Sequence, residues 1–238
     1  MKIEIWSDIA CPYCYIGKRK LEKALEQFPH SKSVELVWHS YELDPDLPKK
    51  ATGQSIYSYF AKRFNITENE ARASQAEVAK LAKEVGLDYD FDKLVVANTA
   101  DALRLVKLAA ESGLATDAEE VLFDAYFVKR MDISDPKVLT RLGVQIGLKE
   151  ADISAMLNGN SYVIDIKADM SYSEDGLNLE YIPFYVFNNK QIVQGSIPSE
   201  EYLNVLNEAY AEWQATGISS ERGDIITGQS CSIDGVCS

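Results

Sequence analysis

Histidine is nearly absent from this chain, with only His30 and His39 in 238 residues. Cysteine is scarce as well, at four: Cys11, Cys14, Cys231 and Cys237. So few soft ligands leave little room for a metal. A CxxC pair makes half a zinc site, and the other half needs a second pair or histidines at matching spacing. Basic residues are outnumbered, 24 Lys and Arg against 37 Asp and Glu, for a net charge of −13 and a pI near 4.7. That deficit argues against a nucleic-acid partner, which would need a basic stripe. No run approaches the roughly 20 apolar residues that span a bilayer, so no membrane partner is expected. The segment Met1–Asp8 carries acidic residues where a signal peptide has its apolar core. The expected compartment is therefore the cytosol, where thiols stay reduced and cysteines serve catalysis or metal binding rather than stapling. No internal repeat is visible, and Pro and Gly are ordinary.

What is present is pattern. With 46% hydrophobic residues the chain can bury a core without disulfides. Lys2 to Asp8 alternates apolar and polar positions and reads as a strand. From Cys11 to Phe28, Ile16, Leu21, Ala24, Leu25 and Phe28 recur near helical spacing before Pro29 stops them. Val34 to Leu43 reads as a second strand, closed by Asp44-Pro45-Asp46-Leu47-Pro48. A strand–helix–strand crossover of this kind is nearly always right-handed and parallel. From Ser55 to about Asp175 the period is helical almost throughout. Helices are expected near 54–63, 67–86, 93–112, 116–129, 135–146 and 150–158, with one more near 162–176, punctuated by cap residues such as Thr67 and Asp135-Pro136. Strand character returns over Pro183–Phe187, and Asn188-Asn189 predicts a two-residue hairpin turn into Gln191–Gln194. Ser199 to Ala215 is a final amphipathic helix, and from Gly217 onward the chain reads as a tail.

The order is β-α-β, a helical block, then β-β-α. Without the block, this is the order of a thioredoxin domain. The expected fold is α/β, thioredoxin-like with a large inserted α-helical domain. Residues 1–50 and 178–216 form the discontinuous thioredoxin-like domain, 51–177 the insertion, and 217–238 a tail with a CX5C pair.

Cys11-Pro12-Tyr13-Cys14 follows a strand and opens a helix, the context of a redox dithiol. The first turn of a helix offers unpaired N–H groups and a partial positive charge that favour a thiolate. Pro12 suits the first helical position, where no N–H is needed. Cys11 then falls at the N-cap as attacking thiol, with Cys14 one turn in as resolving thiol. In thioredoxin-like domains a cis-proline lies opposite the CxxC and leaves the preceding backbone free to pair with a substrate strand. Ile182-Pro183, opening a late strand, is the candidate. Pro12, Tyr13 and Ile182 are the expected substrate-binding residues and Pro183 joins the two cysteines as catalytic.

Asp8-Ile9-Ala10-Cys11-Pro12-Tyr13-Cys14-Tyr15-Ile16-Gly17-Lys18 resembles the FrnE-like branch of the DsbA family, thioredoxin-fold dithiol oxidoreductases with a helical insertion. The likeness continues through Leu43–Pro48, Asn98-Thr99 with Arg104-Leu105, and Ile182-Pro183-Phe184, in order over roughly the first 210 residues. The chain departs from that pattern at Leu103, where a histidine is usual, and at Gly195-Ser196-Ile197, where Gly-Ala-Gln is usual. The resemblance implies a protein disulfide oxidoreductase or isomerase acting on protein or peptide thiols and disulfides, with glutathione as a candidate small thiol and no bound cofactor or metal. Two alternatives are a glutathione-dependent transferase or isomerase of the kappa or hydroxychromene-carboxylate isomerase type, and a zinc protein using all four cysteines. Kappa-type enzymes typically carry serine where this chain has Cys11.

Some residues have two readings. Trp6 and Tyr15 line a docking groove or fill the core. Lys18-Arg19-Lys20 raises the potential around Cys11 or forms a solvated face. Asp8 takes a proton from Cys14 or caps a turn, and His39 is a partner for Cys11 or a half-buried strand residue. Asn98 and Arg104 are candidates for holding the insertion near the thiols. Cys231 and Cys237 flank an Asp-Gly and can close a small disulfide loop, a candidate second redox pair on a tether long enough to reach Cys11.

Overall fold

Strand β1 (Lys2–Ser7) buries Ile3 and Ile5 while Lys2 and Glu4 stay half-exposed, the period of two that the sequence shows, and ends with Trp6 and Ser7 both buried. The structure is a computed structural model that describes residues 1–216 and 225–232. Helix α1 (Pro12–Gln27) follows, with Cys11 as its N-cap and Pro12 in its first turn. It ends at Phe28, whose extended backbone is the one that a residue before proline prefers. Strand β2 (Glu35–Ser40) then pairs with β1 in parallel, from Lys2 opposite Glu35 to Ser7 opposite Ser40.

The chain next enters a helical stretch. It runs through α2 (Ile56–Phe64), α3 (Glu68–Glu84), α4 (Ala100–Ala110), α5 (Ala115–Phe123), α6 (Pro136–Gln145), α7 (Glu150–Asn158) and α8 (Val163–Ser171). Returning to strands, it forms β3 (Tyr181–Ile182), β4 (Phe184–Phe187) and β5 (Gln191–Gln194), then α9 (Ser199–Thr216), β6 (Ile225–Thr227) and β7 (Cys231–Ser232). Two compact units result, one of Met1–Tyr41 with Ala168–Ser238 and one of Glu42–Lys167.

In the first unit a five-stranded sheet has the order β2-β1-β4-β5-β6. β4 runs antiparallel to β1 and β5, and β6 adds parallel to β5. Helix α1 packs against α9, and Phe28 meets the Tyr210 ring edge-on at 5.5 Å. Burying a side chain of that size contributes about 1.5–3 kcal/mol. The β4–β5 turn differs from the expected two-residue loop. Asn188 and Asn189 both take positive φ, 49° and 62°, and Lys190 N–H donates to Phe187 O at 3.0 Å. Yet Phe187 pairs with Gln191, so three residues form the connection.

The second unit is all helical. Thr67 and Glu70 cap α3 reciprocally, and Asp135 caps α6 with Pro136 in the first turn. The helix expected over 93–112 begins only at Ala100, because Asn98 Oδ1 accepts from Ala100 N–H at 3.0 Å and turns the chain into the helix there. Helix α5 runs on into a π-helical turn over Asp124–Val128, which seats Phe127 against Tyr89 at 4.6 Å.

The tail is the largest departure from the sequence reading. Residues 225–232 are not a loose appendage, since they carry β6 and β7 and extend the fold.

Candidate active site

Cys11 sits where β1 hands over to α1. Asp8 shapes the turn: its carbonyl accepts from Cys11 N–H at 3.0 Å and its Oδ1 from Ala10 N–H at 3.2 Å. Of the two readings of Asp8, the turn cap is therefore visible. Cys14 N–H returns to Cys11 O at 3.1 Å, the first bond of the helix. Cys11 and Cys14 are both free thiols and both buried, at 0% and 2% exposure.

The Ile182–Pro183 bond is cis. The Cys11 thiol lies 3.8 Å from the Ile182 carbonyl oxygen and can donate to it. The residues singled out on opposite ends of the sequence thus meet in one place. Burial pushes the Cys14 thiol well above its usual range, and the neighbouring Cys11 sulphur adds to the effect through a hydrogen bond and its charge. The Asp8 backbone amide and the Ser7 side chain act in the opposite direction by favouring a Cys14 thiolate. Tyr13 is also buried, and desolvation followed by the charge of Cys11 pushes its phenol up to about 12, so it stays neutral.

Two neighbours were given no role by the sequence reading. Gly17 lies on the face of α1 toward Pro183; a Cβ there would sit 2.5 Å from Tyr185 Oη and 3.1 Å from Pro183 Cγ. Gln194 on β5 accepts from the Glu180 and Tyr181 amides at 3.0 and 3.1 Å and so holds the β3 backbone. The only hint of the first was a glycine inside a helical pattern, which often marks a close approach.

The residues with two readings resolve as follows. Trp6 and Tyr15 are core residues, at 0% and 1% exposure. Lys18 is no solvated face: it is 4% exposed with Nζ 2.5 Å from Glu22 Oε1. Arg19 lies over the Tyr15 ring and bonds Glu22. His39 stacks on Trp6 at 4.3 Å and bridges Asp169 and Glu4, at 2.9 and 3.3 Å, a structural cluster. Arg104 works inside the helical unit. Its guanidinium bonds the Met156 carbonyl, Gly159 O at 2.8 Å, Ser161 O at 2.7 Å and Asp101 at 2.7 Å. Asn98 Nδ2 donates to Leu47 O at 2.9 Å in the same unit. Leu103 is fully buried there.

Cys231 is disulfide-bonded and has no exposed surface. Cys237 lies outside the described residues. No group of three or more His, Cys, Asp or Glu among the described residues could hold a metal ion. No helix there is long and apolar enough to cross a membrane.

Residues 2–207 match the model of the DSBA-like thioredoxin domain. A crystal structure described as a probable DsbA oxidoreductase from Streptomyces coelicolor is 30% identical, covers 100% of this chain and 98% of its own, and superposes with a TM-score of 0.82. The cytosolic disulfide reductase DsbM from Pseudomonas aeruginosa, in its structure with GSH, is 17% identical with a TM-score of 0.60, covering 90% of this chain and 98% of that one. An uncharacterized protein from Bacillus subtilis, YwbO, is 21% identical over 207 residues, 87% of this chain and 96% of its own length.

Proposed function

This chain belongs to the DSBA-like thioredoxin-domain family, and on that premise we propose that it is a thiol–disulfide oxidoreductase of the FrnE-like kind, with Cys11 as nucleophile and Cys14 as resolving thiol. The observation that carries this reading is the Cys11 thiol at the helix N-cap, 3.8 Å from the Ile182 carbonyl beside a cis-proline. The Cys11 thiolate attacks one sulphur of a substrate disulfide, and the other sulphur leaves as a thiolate. Cys14 then attacks the Cys11 sulphur, releases the second substrate thiolate and leaves Cys11–Cys14 oxidised. Part of what holds Cys14 protonated is the neighbouring Cys11. Burial is the larger cause and remains, but once Cys11 is tied up as a mixed disulfide the Cys11 contribution is gone, which favours ionisation of Cys14 relative to the free dithiol.

The backbone ahead of Pro183 supplies the edge on which an extended substrate pairs, with Pro12, Tyr13 and Ile182 around the reacting sulphur. Protein and peptide disulfides are the proposed substrates in the cytosol. Glutathione is the proposed small thiol, a reading supported by the GSH bound to the DsbM relative. Cys231 and Cys237 are the proposed second redox pair, exchanging with Cys11 in the same way. The test is direct. Cys11→Ser should abolish insulin reduction, by about 10³-fold or more for a lost nucleophile, while Cys14→Ser should accumulate mixed disulfides through Cys11. Full activity in Cys11→Ser would overturn the assignment.

A further inference from the structure

Strand β1 delivers one more polar side chain to the dithiol. Ile3, Ile5 and Ser7 share a face by the period of two, and Ile5 pairs with Tyr185 of β4. Residues opposite one another in a ladder point to the same side. Tyr185 Oη lies against α1, 2.5 Å from where a Cβ on Gly17 would be. Ser7 therefore looks toward α1 as well. Cys14 precedes Gly17 by three positions, which puts the two on one face of that helix. Pairing and helical spacing thus bring the Ser7 hydroxyl and the Cys14 sulphur into one layer, at the end of β1 where the chain turns into α1.

The Ser7 backbone is committed to the sheet. The residue pairs with Ser40 on β2, and its carbonyl accepts from Tyr41 N–H at 2.9 Å. Its side chain is different. Ser7 has no exposed surface, and its Oγ has no hydrogen-bond partner among the described residues while Cys14 is a thiol. A buried hydroxyl left without a partner is costly, so its retention needs a reason. Cys14 supplies one, because the Ser7 side chain favours the charged form of that sulphur. A serine hydroxyl turns to suit its surroundings, and a thiol is a weak acceptor. A thiolate is a far stronger one, since hydrogen bonds to an ionised partner have roughly twice the strength of neutral ones.

We propose that Ser7 serves the resolving step: its hydroxyl stands idle beside the resting dithiol and donates a hydrogen bond to the Cys14 sulphur as that sulphur becomes the nucleophile. This deepens the oxidoreductase reading and rests on it. With Cys11 held in a mixed disulfide, the Cys14 thiolate attacks the Cys11 sulphur. The Cys11–Cys14 bond forms, the bond from Cys11 to the substrate sulphur breaks, and the substrate sulphur leaves with the electron pair. The proton that Cys14 gave up ends on the departing substrate thiolate, and Ser7 keeps its own throughout. The Asp8 amide favours the same thiolate from the next residue along. Strand end and turn together hold two donors where the charge develops. Ser7 has no part in capture by Cys11, which separates the two steps experimentally.

The test uses the reduced full chain, mixed with glutathione disulfide, acid-quenched at intervals and examined by mass spectrometry for glutathione on Cys11. The rise of that mixed disulfide reads capture and its decay reads resolution. In Ser7→Ala the rise should be unchanged and the decay about tenfold slower at neutral pH. Ser7→Thr keeps the hydroxyl and should recover most of the rate. The pH midpoint of the decay should rise by about one pH unit in Ser7→Ala, with the rates converging above it. The other ionisable groups on the elements around the dithiol are Asp8 in the turn, Tyr13 and the ion-paired Lys18 on α1, Tyr185 on β4 and Tyr202 on α9. Burial raises the three phenols, that of Tyr13 to about 12. All five are the same in native protein and variant, so the midpoint reads Ser7. An unchanged decay in Ser7→Ala, or a slowing equal at every pH, would overturn the proposal and leave the oxidoreductase reading standing. A native protein that captures glutathione but never forms the Cys11–Cys14 disulfide would remove both.

Discussion

At the scale of single residues, the site depends on a missing side chain as much as on the two thiols. Gly17 brings α1 within reach of Pro183 and Tyr185, and that approach keeps Cys11 against the Ile182 carbonyl. Gly17→Ala places a methyl group against the rigid end of a fully buried tyrosine. Overpacking of this kind costs about 1–3 kcal/mol, and in a chain of this size each kcal/mol lowers Tm by about 2–4 °C. The expected outcome is a lower melting temperature together with slower disulfide reduction. Tyr185→Phe removes the oxygen that the methyl meets, so the double variant should recover part of both losses. A double-mutant cycle with no coupling would show that the contact is not the cause. Sequence alone marked Cys11, Cys14 and Pro183 by type and spacing, but nothing in it paired Gly17 with Tyr185. A steric relation across long separation leaves no local pattern.

At the scale of elements, what could be read was what repeats. β1, α1 and β2 followed from periods of two and 3.6, and α3 and α6 from their caps. β6 and β7 could not be read that way, because two or three residues are too few to show a period. Their position is fixed by the close crossing of Gly195 and Gly228 and by backbone bonds, which any sequence of suitable size can make. The cluster around His39 shows another tie that only the fold reveals. It joins Glu4 on β1 and Asp169 on α8 through the imidazole on β2, while Asp169 also accepts from Ser40 N–H at 2.7 Å. The His39 hydrogen bond, with a smaller contribution from Lys2, holds the Glu4 carboxyl below its usual 4.5 against the opposing effect of burial. A lowered folded pKa stabilises the protein above the unfolded value, and that stabilisation is lost as pH falls through the folded one. The native protein should therefore be more stable than Glu4→Gln at neutral pH. The two should converge as pH drops below about 4. Urea unfolding at a series of pH values measures this, and a gap that persists undiminished at low pH would assign the effect to packing rather than to charge.

At the scale of the whole molecule, the chain order sets a folding problem. The first unit is assembled from Met1–Tyr41 and Ala168–Ser238, so its central β1–β4 pairing must wait for two distant segments to meet. The second unit is continuous and built from helices whose contacts span shorter separations than the β1–β4 pairing. Closing a long loop is entropically costly before any contact rewards it, whereas local helical contacts form with little such delay. The helical unit should therefore become protected first on refolding. In pulsed hydrogen exchange, amides of Leu103 to Ala109 in α4 should gain protection before those of Ile5 in β1 and Tyr185 in β4. Arg104 sharpens the contrast, since it binds the carbonyls of Met156, Gly159 and Ser161 only when α4 and the end of α7 have come together. Replacing it with methionine leaves those acceptors without their charged donor and should delay α4 protection while leaving the β1–β4 step unchanged. If β1 and β4 were protected together with α4, or earlier, the two units would have to be folding as one cooperative structure despite the division in the chain.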